Sequence, residues 1–330
     1  MFQETTMLRC IELAVKGAGY TAPNPMVGCV IVDSNQNILG EGYHERCGGP
    51  HAEVNAIQSV QDKSLLKDAT LYVNLEPCAH HGKTPPCANL IVQMGIPSVV
   101  IGMKDPHEKV AGKGIEILRQ AGIDVIVGIE EKACRELNKR FITFHEKKRP
   151  YIILKWAQSS DGFIGQHGKR IKISHPDTDV LVHQWRSEEQ AILVGSTTAI
   201  NDDPELTVRH VKGKNPVRLV LNQGAFLPTH LKLWNDAAET YVIEITNNNG
   251  LNTFLQFCRD HHLISVMVEG GAYTLQQFIN AGLWDEARVI TNTKMVLKNG
   301  VKAPVLIKAL LVQTTFSGDD RIQIFQPISP

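Results

Sequence analysis

The chain has 330 residues, more than a single hydrophobic core usually serves, so its length favours two domains over one. Apolar residues make up 43% and charged residues 21%, an ordinary globular mixture that excludes disorder, while 34 basic against 34 acidic residues remove the cationic footprint of a nucleic-acid or anionic-membrane binder. No apolar run approaches the roughly 18 residues of a spanning helix, the opening MFQETTMLRC lacks a secretory pattern, and the seven cysteines suggest metal or catalytic chemistry before disulfides; the expectation is a cytoplasmic protein with a small-molecule partner.

From Thr5 to Gly17, Met7, Leu8, Ile11 and Val15 recur at helical spacing, and Gly17, Gly19, Pro23 and Pro25 end the helix. Val27 to Val32 and Ile38 to Tyr43 flank Asp33-Ser34-Asn35-Gln36-Asn37 as a hairpin, and a helix opens near His51. Strands are predicted over 70–75, 98–103 and 124–127, separated by helices near 86–94 and 113–120, which implies a layered α/β domain with a partly parallel sheet. A polar helix from Glu130 to about Glu146 runs into His145-Glu146-Lys147-Lys148-Arg149-Pro150, where the linker is placed, giving domains over 1–147 and 150–330. The alternative is a solvated helix end inside one domain, and the fresh pattern beyond Pro150 argues against it. Segments 151–156, 191–194, 217–221, 241–245 and 264–269 read as strands there, alternating with helices over 178–188, 251–260 and 273–281; Asn247-Asn248-Asn249-Gly250 reads as a turn.

Hydrolysis near neutral pH calls for a hydroxide-like nucleophile, which a zinc ion with three protein ligands and an open fourth position supplies. His51-Ala52-Glu53 offers an imidazole ligand and, two residues on at a helix start, a carboxylate able to reach the attacking water without binding the metal. Pro77-Cys78 and Pro86-Cys87 offer two thiolates, the second at a helix N-terminus where negative charge is favoured. H-x-E followed by P-C is the zinc-deaminase signature, except that eight residues separate the two cysteines here rather than two. The reading is Zn2+ on His51, Cys78 and Cys87, with Glu53 carrying the proton from water to the leaving ammonia. Two alternatives stay open: a buried histidine with two core cysteines, and a structural zinc completed by His80, His81 or Cys47.

In the second half, Val268-Glu269-Gly270-Gly271-Ala272-Tyr273-Thr274 is a strand ending on two glycines before a helix, which lets backbone amides approach a phosphate, although a plain tight turn fits as well. Asn201-Asp202-Asp203-Pro204 reads as a helix-stopping turn.

The runs Ala22-Pro23-Asn24-Pro25-Met26-Val27-Gly28, Gly40-Glu41-Gly42-Tyr43-His44, Gly49-Pro50-His51-Ala52-Glu53 and Glu76-Pro77-Cys78-Ala79-His80-His81-Gly82-Lys83-Thr84-Pro85-Pro86-Cys87 resemble the bifunctional riboflavin-biosynthesis deaminase/reductase family. Cytidine and tRNA-adenosine deaminases lack the insertion before Thr84-Pro85-Pro86-Cys87. The runs Lys155-Trp156-Ala157-Gln158-Ser159-Ser160-Asp161-Gly162, Gly195-Ser196-Thr197-Thr198, Asp202 to Arg209 and Glu269-Gly270-Gly271 follow in that family's order, so the resemblance spans nearly the whole chain. It implies an α/β protein, an N-terminal cytidine-deaminase-like three-layer domain followed by a dihydrofolate-reductase-like α/β domain, with zinc in the first and NADPH in the second. The implied reactions are deamination of 2,5-diamino-6-(5-phosphoribosylamino)pyrimidin-4(3H)-one, then reduction of the ribosyl group of 5-amino-6-(5-phosphoribosylamino)uracil to ribityl by hydride delivery to C1′.

By the same resemblance, Asn24, His44, His80 and Lys83 meet the pyrimidinone and ribosyl phosphate in the first site. In the second, Arg186, Leu206, Arg209 and Glu269 meet substrate, and Lys155 and Asp202 polarise the opened sugar. Ala157, Lys172, Thr198, Asp202 and Gln223 line the cofactor, together with Gly271, Ala272, Tyr273, Thr274, Leu275, Gln276 and Gln277. An arginine suits the phosphate because its guanidinium makes paired, charge-assisted hydrogen bonds, although a surface salt bridge is the plainer reading of either one. The chain departs from the family pattern at Asn74, where Thr or Ser is frequent, at Cys47, where small residues are, at Lys172, where Trp is, and at Thr293, where Pro is. The resemblance also implies a homodimer or tetramer formed through the reductase domain.

Overall fold

Met7, Cys10, Leu13 and Ala14 recur every three or four residues and are all buried, so helix α1 (Phe2–Val15) forms with that stripe laid on a sheet. The computed structural model describes residues 2–79, 85–108, 110–166, 168–169, 171–245 and 250–328. Strands β1 (Gly28–Val32) and β2 (Ile38–Tyr43) form the expected hairpin, and helix α2 (Ala52–Ser59) follows. Strand β3 (Thr70–Val73), helix α3 (Cys87–Met94), strand β4 (Ser98–Ile101), helix α4 (Lys113–Gln120) and strand β5 (Asp124–Val127) then alternate. The sheet order is β2-β1-β3-β4-β5, with β1 antiparallel to both neighbours and β3, β4 and β5 parallel.

Strand side chains alternate between faces, and β1 shows what that does here. Cys29 and Ile31 join one core with Ala52 and Ala56 of α2 and Ala88 and Ile91 of α3, while Val30 and Val32 join another with Met7, Cys10 and Leu13 of α1. The sheet is therefore covered on both faces, a three-layer unit.

The polar helix expected over 130–146 is two helices, α5 (Glu131–Leu137) and α6 (Lys139–Lys147), broken at Asn138. The Asn138 amide donates to the Met26 carbonyl at 2.9 Å and accepts from the Met26 amide at 2.8 Å. A buried asparagine satisfied by distant backbone leaves the helical path at that residue.

Contacts divide the chain into two units, Met1–Lys148 and Arg149–Pro330. The second runs β6 (Tyr151–Ser159), β7 (Phe163–Gly165), α7 (Pro176–Glu188), β8 (Ala191–Gly195), α8 (Ser196–Asp202), β9 (Val217–Asn222), β10 (Thr240–Glu244), α9 (Gly250–Asp260), β11 (Ser265–Gly270) and α10 (Ala272–Asn280). It ends with β12 (Glu286–Asn292), β13 (Val301–Lys302), β14 (Ala309–Ser317) and β15 (Asp320–Pro327). The large sheet has the order β10-β9-β8-β11-β6-β12-β15-β14; its first six strands are parallel, β15 and β14 close it antiparallel, and β7 pairs separately with β13. The parallel strands read as near-continuous apolar runs because helices cover both faces. Ile152 and Leu154 of β6 pack with Phe254 of α9 and Phe278 of α10, whereas Tyr151 and Ile153 pack with Val182 and Trp185 of α7.

The sequence gives no local sign of elements β7, α8, β12, β13, β14 and β15. In β12 the run EARVITN carries Glu286 and Arg288, both buried; Arg288 Nε donates to Glu286, and the Tyr151 hydroxyl donates to the same carboxylate. Polar letters thus sit in a central strand. The turn expected at Asn247-Asn248-Asn249, and the site residues His80 and Lys83, lie outside the described residues, as does His81.

Candidate active sites

His51 is the N-cap residue of α2, Cys87 is the first residue of α3, and Cys78 lies in the loop that follows β3. His51 Nδ1 is 3.2 Å from Cys87 Sγ and 3.6 Å from Cys78 Sγ, and the three atoms all lie within 4.8 Å of one another. Zinc bonds of about 2.3 Å to sulfur and about 2.0 Å to nitrogen at tetrahedral angles require N···S separations of roughly 3.5 Å. The donor set and spacing fit that ion with one corner of the tetrahedron left over. The Cys87 backbone amide, at the start of α3, donates to Cys78 Sγ at 3.3 Å, which favours the thiolate. Cys78 is the more acidic of the pair, its thiol drawn well down first by the Cys87 side chain.

Glu53 sits in the first turn of α2 and is 3% exposed. Burial first, and the Cys78 charge second, push its carboxyl up to about 6. His44 Nδ1–H donates to the Pro50 carbonyl at 2.9 Å, so in that tautomer its Nε2 accepts from the Asn24 amide at 3.2 Å. The His44 ring stands edge-on to His51 at 5.6 Å, and burial lowers its pKa. Asn24, His44, His51, Glu53, Cys78 and Cys87 are thus brought to one place.

The structure also places Asn74 and Cys47, and it adds Asp105, to which the sequence gives no pointer. Asn74 takes the Gly28 amide at 2.8 Å and gives to the Met26 carbonyl at 3.1 Å, so with Asn138 it pins the backbone just after Asn24. This accounts for Asn74: its amide faces backbone. Asp105 is buried beside Glu76 and Cys78, and burial first lifts its carboxyl to about 6. A lone Asp-Pro in a loop gives no local sign of that placement. Cys47 is exposed and stands outside the metal-ligand group found among the described residues.

In the second unit the carboxyl ends of the parallel strands carry the predicted residues, the usual place for a ligand in such a sheet. Lys155 of β6 and Glu269 of β11 lie 3.7 Å apart, Nζ to Oε2. Arg186 of α7 donates from Nε to Glu269 Oε1 at 2.7 Å, from Nη2 to Oε2 at 2.8 Å and from Nη1 to the Thr207 carbonyl at 3.1 Å. Each guanidinium nitrogen therefore already serves the protein. Burial by itself would raise the Glu269 carboxyl, yet Arg186 and Lys155 hold it down near 2. Burial lowers the Lys155 pKa, and Glu269 opposes that shift.

The segment after α8 has Leu206 buried at φ +51, and its backbone is captured by side chains: Arg209 N–H by His183 Nδ1 at 3.0 Å and Val208 N–H by Asn215 at 2.8 Å. Arg209 itself is exposed, paired with Glu205. Gly270 has φ +138 and a Cβ on Gly271 would lie 2.9 Å from Thr198 Oγ1, so the glycine pair leaves an open cradle at the start of α10. Of the neighbouring predicted residues, Ala272 opens that helix, Tyr273 is exposed, Thr274 and Leu275 are buried, and Gln276 bonds both backbone groups of Val305. Gln277 is partly buried on α10, Ala157 lies on β6, and Asp202 is the last, exposed residue of α8. Lys172 is exposed and pairs with Asp179, and Gln223 is exposed just past β9.

The cytidine and deoxycytidylate deaminase zinc-binding region matches residues 1–103, and the RibD C-terminal domain matches residues 150–312. The riboflavin biosynthesis protein RibD of Aquifex aeolicus is 41% identical over 311 residues, covering 88% of this chain and 86% of that protein. The Escherichia coli RibD is 36% identical, covering 90% and 89%. The crystal structure of a diaminohydroxyphosphoribosylaminopyrimidine deaminase/5-amino-6-(5-phosphoribosylamino)uracil reductase from Thermotoga maritima superposes with a TM-score of 0.91 at 36% identity, covering 99% of both chains.

Proposed function

The chain belongs to the RibD family and is a bifunctional deaminase and reductase of riboflavin biosynthesis, and on that premise we propose which residues carry each step. In the first unit His51, Cys78 and Cys87 hold zinc and the substrate is 2,5-diamino-6-(5-phosphoribosylamino)pyrimidin-4(3H)-one, with Asn24 and His44 at its ring and His80 and Lys83 at its ribosyl phosphate. Zinc, when bound, supplies a water acidified toward neutral pH. Glu53 takes the proton released as water attacks the ring carbon and passes it to the departing nitrogen, which leaves as ammonia. The single observation behind this reading is the three convergent ligand atoms with a desolvated carboxyl beside them.

In the second unit NADPH, when bound, supplies the hydride for C1′. Its cradle is the Gly270–Gly271 turn with Thr198 across it, and Ala157, Asp202, Gln223 and the residues from Ala272 to Gln277 continue the wall, with Lys172 at its margin. Lys155 and Asp202 polarise the opened sugar, Glu269 orients it, and Arg209 and the backbone at Leu206 receive the phosphate. Arg186 acts through Glu269 and Thr207 rather than through a free guanidinium.

Purified protein given the diaminopyrimidinone ribosyl phosphate alone is expected to release ammonia and stop, and to proceed to the ribityl product once NADPH is added. Stripping the metal with a chelator is expected to end ammonia release while sparing reduction of substrate that is already deaminated. Ammonia production by metal-free protein would refute the zinc assignment.

The enzyme is proposed to work as a homo-oligomer joined through the second unit. Strand β14 is the edge of the large sheet and is exposed along nearly its whole length, presenting Leu310 (57% exposed) and Phe316 (70%). An exposed apolar edge strand is a template for pairing, and a second copy of the same strand meets it with a self-complementary surface. The double variant Leu310→Lys, Phe316→Lys is expected to lower the mass seen in sedimentation to that of one chain, with ammonia release retained. No helix among the described residues is long and apolar enough to cross a membrane, and we place the enzyme in the cytoplasm, where such a phosphorylated substrate is held.

A further inference from the structure

Glu76, two residues before Cys78, has no part in the chemistry above, yet it is 3% exposed and its carboxylate is fully engaged. Oε2 accepts from the backbone amides of Asp105 at 3.2 Å and Gly112 at 2.9 Å, and Oε1 from those of Gly114 at 2.9 Å and Ile115 at 3.2 Å. Gly112 is the N-cap of α4, Gly114 and Ile115 lie in its first turn, and the cap residue makes no side-chain bond of its own. Glu76 therefore caps α4 from another part of the chain, a buried anion set against orphan helix amides. A second observation concerns the same contact. A Cβ on Gly114 would fall 2.0 Å from the Pro77 carbonyl oxygen, so the first turn of α4 rests directly on the backbone that leads into Cys78.

We propose that Glu76 is the positioning residue of the metal centre. By gripping α4 and the Asp105 amide it fixes Pro77, and through it the direction in which Cys78 presents its sulfur to His51 and Cys87. Among the described residues on either side of Cys78, the Cys78 carbonyl accepts from the Ala88 amide, and the Glu76 N–H donates to the Met103 carbonyl. This inference rests on Cys78 being a zinc ligand.

The test uses the full-length protein and metal itself as probe. Glu76→Gln keeps the volume but turns one oxygen into an amide donor aimed at backbone N–H groups; Glu76→Asp keeps the charge but shortens the reach, and remains informative should the glutamine variant fail to fold. Both are expected to release zinc to a chromophoric chelator about 10- to 100-fold more readily, the range for losing a group that orients a ligand. In the cobalt-substituted protein the sulfur-to-cobalt charge-transfer band is expected to weaken, while NADPH-dependent reduction stays unchanged. Leu118→Ala, in the buried face of α4, serves as a comparison of similar thermal instability. If Leu118→Ala loosens zinc and alters the cobalt band as much as the Glu76 variants do, Glu76 merely stabilises the fold and the proposal is overturned. Unchanged zinc release in both Glu76 variants overturns it equally. Zinc held normally by Cys78→Ser would show instead that the ligand assignment beneath it is wrong.

Discussion

Glu53→Gln is expected to lower deamination by about 10²- to 10⁴-fold, the usual contribution of a positioned acid–base group, with zinc content and NADPH-dependent reduction unchanged. The carboxyl lies in the first turn of α2, outside the group formed by His51, Cys78 and Cys87, so its loss removes a proton carrier and no ligand. Its surroundings also predict what happens to stability. Burial and the neighbouring Cys78 charge both disfavour the ionised form, which lifts the carboxyl to about 6. Glutamine has the same shape and no charge to desolvate, so the melting temperature is expected to hold or rise slightly. Zinc by elemental analysis, ammonia release, and reduction of pre-deaminated substrate separate the alternatives. Loss of zinc in parallel with activity makes Glu53 a ligand, and undiminished turnover removes it from the proton path.

The placement of that residue was legible in the sequence because the pattern is local: His51 and Glu53 are two positions apart, and each cysteine follows a proline, Cys87 at the start of α3 and Cys78 in the loop after β3. The surrounding scaffold was not, because its bonds join distant segments. Asn138 reaches Met26 across 112 positions, Asn74 reaches Gly28 across 46, and Glu76 reaches Ile115 across 39. A single polar letter carries no record of such partners. The strands divide on the same physical ground. The parallel strand β8, covered on both faces, appears as an unbroken apolar run, whereas β12 hides a buried ion pair and β14 spends its apolar residues on solvent. Arg186 is a further case of a distant partner that its own letter does not reveal, bonded as it is to Glu269, 83 positions away.

The Glu269 cluster makes the second large effect specific. Lys155→Met is expected to cut reduction by roughly 100-fold or more, as for other groups that polarise a reacting atom, and to leave ammonia release intact. The fold should tolerate it. Arg186 binds both oxygens of Glu269, so the carboxylate stays paired when the ammonium 3.7 Å away is gone, and methionine keeps the apolar stem. Glu269→Gln is the opposite case, since it leaves two buried cations facing one another; breaking such a pair from one side costs about 3–5 kcal/mol. Acid behaviour gives an independent readout. Against the raising effect of burial, Arg186 and Lys155 take the Glu269 carboxyl from 4.5 to about 2, so the stability it contributes is complete above 4.5 and is lost as pH falls toward 2. With Lys155 removed the folded-state value moves back up, so the acid-side loss still begins near 4.5 but is smaller and finishes at a higher pH. A calorimetric series from neutral pH downward would show that contraction, and an identical acid limb in both proteins would mean that Lys155 and Glu269 do not share the field that the proposed polarisation of the sugar requires.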